Sequence, residues 1–207
     1  MALSAAEVNR LKQAPPAKGV LPTVLNRWSP RSFSEREVTP DLLARVFEAA
    51  RWAASSANEQ PWRFLVGTRN TPTFEKIFSC LIGLNKEWAG KSAALILGVA
   101  KSTFDHNGKP NEYALYDLGA AASYLTLQAA SLGLFTHQMA GYEKDAARKA
   151  FGIPDDYVMG SVIALGYQGE PDALANEVLI ARETAPRIRK PQREFVFSDW
   201  ETPANLG

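Results

Sequence analysis

The 207-residue chain carries 23 Lys and Arg against 22 Asp and Glu, a net charge of +1, with 46% apolar residues. That balance gives no global attraction for nucleic acid or an anionic membrane, and no stretch approaches the ~20 uninterrupted apolar residues of a membrane helix. The length suits one domain with a well-buried core, and the single cysteine, Cys80, excludes an internal disulfide or a multi-cysteine metal site and reads as core filler.

Met1 to Pro16 has no basic start followed by an apolar run, so no secretory signal is read and the chain is expected in the cytoplasm. Ser4 with Glu7 has the form of a capping box, opening a short helix that Pro15-Pro16 must end. Residues 1–20 are read as a poorly anchored arm ahead of a single domain over 21–207. Thr39-Pro40-Asp41 is a strong helix start, and Leu42, Leu43, Val46, Phe47 and Ala50 recur at helical spacing, predicting a helix from about Pro40 to Ala54. The polar loop Ser55-Ser56-Ala57-Asn58-Glu59-Gln60-Pro61-Trp62 separates it from a strand over Arg63 to Thr68. Thr71-Pro72 opens another helix toward Leu81. Ala93 to Ala100 is a continuous apolar run of strand length, which predicts a central place in a sheet. After turn residues Asp105 to Pro110, Asn111 is read as the cap of the longest helical pattern, reaching about Leu132. Gly119, Ala120, Ala121 and Ala122 in its middle let a second helix approach closely, within the core or across a dimer. Thr136 to Met139 reads as extended, Glu143 to Phe151 as a helix closed by Gly152 and Pro154, and Tyr157 to Gly166 as a strand. From about Gly169 the chain shows Pro171, Pro186, Pro191 and Pro203, weak periodicity and one strand candidate, Glu194 to Phe197. A tail with so little core-forming pattern is unusual inside a compact monomer and is read as wrapping something.

Two segments, Arg27-Trp28-Ser29-Pro30-Arg31-Ser32-Phe33 and Arg187-Ile188-Arg189-Lys190-Pro191, concentrate positive charge in an otherwise balanced chain. Guanidinium forks match phosphate oxygens, so the two read as halves of one anion site for a phosphate-bearing ligand. Taken alone, such arginines read as solvated helix-end charges. The Ser55–Trp62 loop is dense in donors and acceptors that suit a heterocycle edge, and it also has the composition of an ordinary turn. In this order, R-x-S-x-R-x-F, S-S-x-N-x-Q-P-W and the late R-x-R resemble the FMN-dependent nitroreductase family, from about Leu21 to Trp200.

The resemblance implies an α+β fold: a three-layer α/β/α sandwich with a central, mostly antiparallel sheet and a C-terminal strand exchanged in a homodimer, the tail from about 169 embracing the partner. It implies Arg27 on the FMN phosphate, Ser29 with Trp28 on the ribityl chain and ring edge, and Arg31 facing the pyrimidine, where a cation stabilises the charge of the reduced ring. Ser55, Ser56 and Asn58 match the loop that reaches the flavin from the other subunit. Asn85 falls where the family has an asparagine bonded to the ring. Gln138, Met139, Ala140 and Gly141 fall where backbone amides lie over N5, with Gln138 and Ala140 standing in for the proline and glutamate of many members. Arg187 and Arg189 complete the phosphate clamp, and His137 reads as a structural hydrogen-bonding residue. No dinucleotide, Walker A, zincin or nucleophile-elbow motif occurs, so the reductant has no domain of its own. The implied activity is ping-pong hydride transfer from NADH or NADPH through flavin N5 to a small electron-poor acceptor, a nitroaromatic, quinone or enone, with no catalytic side chain and no metal. A specialised dehydrogenase or dehalogenase-type member, and a non-catalytic flavin-binding protein, are the alternatives.

Overall fold

A computed structural model describes residues 3–206. At its centre four strands, Trp62–Thr68 (β1), Ala94–Lys101 (β2), Phe135–Met139 (β3) and Tyr157–Gly166 (β4), form an antiparallel sheet in the order β1-β2-β4-β3. Leu97 lies opposite Leu65 on one side and Val162 on the other. Alternate residues of β2 enter different cores: Leu95, Leu97 and Val99 join Phe74, Ile77 and Leu179, whereas Ala94 and Ile96 join Val46, Ala121 and Leu125. Burial on both faces is why this strand reads as an unbroken apolar run without alternation.

Eight helices surround the sheet among the described residues: Ala5–Lys12 (α1), Pro22–Asn26 (α2), Pro40–Arg51 (α3), Pro72–Ser79 (α4), Asn85–Trp88 (α5), Ala114–Ser131 (α6), Lys144–Phe151 (α7) and Glu177–Thr184 (α8). Helices α3 and α6 cover one face, and α4, α7 and α8 supply residues to the other, giving three layers. None is long and apolar enough to cross a membrane. The Thr-Pro starts work as caps: Thr39 Oγ1 accepts from Leu42 N and Thr71 Oγ1 from Phe74 N, with proline filling a position whose amide has no helical partner. Gly152 ends α7 at φ 62°, the left-handed conformation that closes a helix.

Five expectations change. Helix α6 starts at Ala114 because the Asn111 carboxamide is committed to a turn, accepting from Tyr113 N. The short helices α2 and α5 fall where no helix was expected. The N-terminal arm is well anchored: Ala5 N donates to Glu170 Oε2 at 2.7 Å, Trp28 Nε1 to Asn9 Oδ1 at 2.8 Å, Val8 is fully buried, and Lys12 Nζ donates to the Arg182 and Ala185 carbonyls. The tail is only partly without core pattern, since α8 is capped by Asn176 and buries Leu179 and Glu183. One of those two is a carboxylate, so hydropathy periodicity misses the buried face. The strand candidate Glu194 to Phe197 gives way to an exposed hairpin, Phe197–Asp199 (β5) with Thr202–Pro203 (β6), turning through Glu201 at φ 58°. Within the chain this hairpin does not join the central sheet.

Candidate functional site

Past the end of α2 the chain runs extended, and Arg31 to Ser34 is laid beside the segment that follows β4. Phe33 bridges to Gln168, Ser34 N donates to Tyr167 O at 2.9 Å, and Gly169 N donates to Ser32 O at 2.9 Å. A Cβ on Gly169 would sit 2.7 Å from the Phe33 carbonyl, so only glycine permits this approach. Ser32 Oγ donates to Glu170 O at 2.6 Å, and the amides of Arg31 and Ser32 donate to the Glu183 carboxylate at 2.8 and 3.2 Å. The stretch from Arg31 to Ser34 is therefore held at its backbone, and Arg27 and Arg31 are both half-buried.

Arg187 approaches from the tail and donates to Arg27 O at 2.5 Å and Leu25 O at 2.7 Å. The Nε atoms of Arg27 and Arg187 are buried without a partner. Among the described residues neither they nor Arg189 form an ion pair. Burial, then the charges of Arg187 and Arg189, push the Arg27 pKa below its ordinary value; burial, then Arg189, does the same to Arg187. Three guanidiniums held together against their own repulsion, with donors left over, have the chemistry that an anion would complete. A cavity of about 550 Å³ opens beside Arg27, lined also by Asn9, Thr23, Asn26, Ser131 and Phe135, and another of about 370 Å³ lies beside Arg187 and Arg189.

The Trp28 indole is buried with its edge toward Phe135, centroids 6.0 Å apart, and Lys12 Nζ lies 5.0 Å from its ring centre. Its side chain thus belongs to the arm contact, and only its backbone remains for a ligand. His137 lies on β3 with Nδ1 2.9 Å from the Pro30 carbonyl and its ring 4.7 Å from that of Trp88. Burial, reinforced by the charge of Arg31, pushes its pKa down to about 4, so it is neutral near pH 7 and Nδ1–H donates to Pro30. Asn85 and the end of β3 meet: Asn85 Nδ2 donates to Gly141 O at 3.1 Å. Gln138 and Ala140 are exposed, whereas the Met139 side chain is buried in the core.

The loop after α3 is strained, with Ala57, Asn58 and Gln60 all at φ between 51° and 57°. Non-glycine residues held this way cost about 1 kcal/mol or more each and cluster where ligands bind. Gln60 N donates to Ser55 Oγ at 3.0 Å, and Ser56 N to the buried carboxylate of Asp117 at 3.1 Å. A cavity of about 290 Å³ lies here, lined by Ser55, Ser56, Tyr113, Tyr116 and Asp117.

The sequence profile of the nitroreductase family matches residues 24–167. The chain belongs to that family. It is 36% identical over 149 residues to an uncharacterized 15.4 kDa protein of Mycolicibacterium smegmatis, covering 68% of this chain and 99% of that one. A protein of Archaeoglobus fulgidus provisionally named NADH dehydrogenase/NAD(P)H nitroreductase is 28% identical over 151 residues, covering 71% of this chain and 84% of that one. A solved structure described as an oxidoreductase containing FMN matches with a TM-score of 0.84 at 31% identity, over 89% of this chain and 94% of that one. A nitroreductase-like protein of Desulfovibrio desulfuricans, solved in complex with FMN, shares the fold with a TM-score of 0.70 at 21% identity, over 89% and 98% of the two chains.

In this nitroreductase-family chain the residues read from sequence fall into three groups. Arg27, Arg187 and Arg189 come together, with Ser29 and Arg31 on the same held segment. Asn85 meets Gly141 at the end of the Gln138–Gly141 stretch, and His137 just before that stretch bonds to Pro30. Ser55, Ser56 and Asn58 do not join the Arg27 group: their anchor Asp117 and the cavity residue Ala130 lie at opposite ends of α6, about 20 Å apart at the helical rise. Glu183, Lys12 and Asp117 were not visible as site residues in sequence, because an isolated carboxylate or lysine carries no spacing that distinguishes it from a surface charge.

Proposed function

We propose that the chain is an FMN-dependent NAD(P)H oxidoreductase of the cytoplasm, acting as a homodimer and passing hydride equivalents from NADH or NADPH to an electron-poor nitroaromatic, quinone or enone. The observation that carries this reading is the trio Arg27, Arg187 and Arg189, with partly orphaned buried donors and no acidic partner among the described residues. A phosphomonoester dianion relieves both the repulsion and the missing hydrogen bonds, and it matches FMN. FMN when bound supplies hydride-accepting chemistry.

The chain's own residues bind, orient and tune. Arg27 and Arg189 hold the phosphate; Arg187 adds its charge while fastening the tail to the Leu25 and Arg27 carbonyls. Ser29 and the Trp28 backbone hold the ribityl side, and Arg31 supplies the cation beside the pyrimidine. Asn85 and the backbone of Gln138 to Gly141 line the ring's other edge. A single copy leaves Ser55, Ser56 and Asn58 at the wrong end of α6, so they serve the flavin of a second copy. Exposed apolar side chains favour that dimer: Tyr113 just before α6, Leu115, Tyr116 and Tyr124 along it, and Ile188, Phe195 and Trp200 in the tail. With one ring face for reductant and acceptor, the two substrates alternate and the kinetics are ping-pong.

Purified protein reconstituted with flavin and then boiled should release FMN at one per subunit, and anaerobic NADH or NADPH should bleach the yellow holoprotein. Absence of bound FMN rejects the reading; bound FMN that neither nicotinamide reduces leaves a flavin-binding protein.

A further inference from the structure

Glu183 lies on α8, fully buried, beneath the segment that carries Arg31. Its oxygens accept the amides of Arg31 and Ser32. Each amide has its own oxygen, an arrangement that a carboxylate supplies without a competing donor, yet burying a carboxylate costs several kcal/mol even after relaxation. The charge therefore calls for its own account. Burial raises the Glu183 pKa; the Arg31 and Ser32 amides oppose that rise, and so do two cations from different elements: Arg31 itself and Lys12 of α1, which also donates to the Arg182 and Ala185 carbonyls at the end of α8. Arg182, beside it on α8, repels Arg31, and Glu183 is the strongest charge acting on Arg31. His137, in the field of Arg31, is neutral and adds no charge.

We infer that Glu183 is a positioning residue that fixes the Arg31–Ser32 backbone and tempers the Arg31 cation, and so sets how strongly the site favours reduced over oxidised flavin. This rests on the flavin reading above. A cation at the pyrimidine edge stabilises the reduced, anionic ring; a buried carboxylate behind that cation offsets part of its field. Taking the carboxylate's charge away leaves the cation uncompensated, and the flavin becomes a stronger oxidant.

The test is anaerobic redox titration of full-length protein reconstituted with FMN. Glu183→Gln, which keeps a backbone acceptor but not the charge, should raise the reduced-to-oxidised ratio at a fixed poise about tenfold, about 30 mV for a two-electron couple. Its FMN dissociation constant should stay within threefold of the wild type, because the phosphate arginines are untouched. In an Arg31→Gln background the same substitution should shift the potential little. An unshifted potential in loaded Glu183→Gln overturns the inference, as does an equal shift with and without Arg31. Should circular dichroism show that Glu183→Gln does not fold, Lys12→Met carries the test. It removes a countercharge and should lower the potential, and no shift or a rise overturns the inference. A wild type that binds no FMN overturns the flavin reading, and this inference with it, whereas a loaded wild type with unresponsive variants overturns this inference alone.

Discussion

Arg187 and Arg189 stand two positions apart and hold different things. Arg187 commits two nitrogens to the Leu25 and Arg27 carbonyls, while Arg189 is exposed and donates to the carbonyl of neighbouring Ile188. Arg189→Ala should weaken FMN binding by about 2 kcal/mol and leave the melting temperature of the apoprotein unchanged, because a charge-assisted phosphate contact is lost and, within the protein, only an exposed bond to the neighbouring carbonyl. Arg187→Ala should weaken binding and also lower the apoprotein melting temperature. Flavin fluorescence titration beside thermal melts separates the two, and an apoprotein indifferent to Arg187→Ala contradicts the assignment. His137 makes a pH prediction. Its folded pKa of about 4 lies below the 6.5 of an unfolded imidazole, so between those values the unfolded chain binds more protons. The stabilisation is complete above about pH 6.5 and is lost as pH falls toward 4. Urea unfolding should show roughly 2 kcal/mol lost between pH 7 and 5 through this group, and a visibly smaller decline in His137→Asn. Equal declines in the two proteins would assign the acid sensitivity elsewhere.

The helices that sequence delimits well are those whose ends are written in local chemistry. Helices α3 and α4 have Thr-Pro starts, α7 has Gly152 after its last turn, and β4 is a run whose bounds are chemically plain. Gly152→Ala should cost about 1 kcal/mol, read as a lower urea midpoint at constant slope, since alanine resists φ 62°. An unchanged midpoint would mean that the cap contributes nothing. Helix α8 was hidden because half of its buried face is Glu183, whose partners are backbone amides more than 150 positions away. The anchoring of α1 was hidden for the same reason: Glu170, Trp28 and Ala185 are distant in sequence, and no periodicity encodes them. The arginines of the candidate site were legible because clustered charge without nearby acids is rare in a balanced chain. The placing of Ser55 to Asn58 at the far end of α6 was not, since loop composition says nothing about which end of a distant helix the loop meets.

Taken whole, the molecule leaves apolar surface that one copy does not cover. Helix α6 is apolar on most sides yet exposes Tyr116 at 77%, and the tail exposes Trp200 at 83%. Light scattering should report a dimer, and the melting temperature should rise with protein concentration. Truncation before Pro186 removes Arg187, Arg189 and the β5–β6 hairpin but keeps Leu179 and Glu183. It should leave the sheet's circular dichroism largely intact while abolishing both FMN binding and the dimer; a truncated protein that stays yellow and dimeric contradicts this account. The clasp between Arg31 and Glu183 also has a meaning in time. Its two sides are separated by 152 positions, and at 5–20 residues per second a ribosome takes roughly 8–30 s to make the stretch between them. For that interval the emerging segment lacks both the carboxylate beneath it and the arginines opposite, so a nascent chain holds only part of the proposed FMN site. On the proposed reading, the phosphate end of the site is completed last, after the rest of the FMN site has been made.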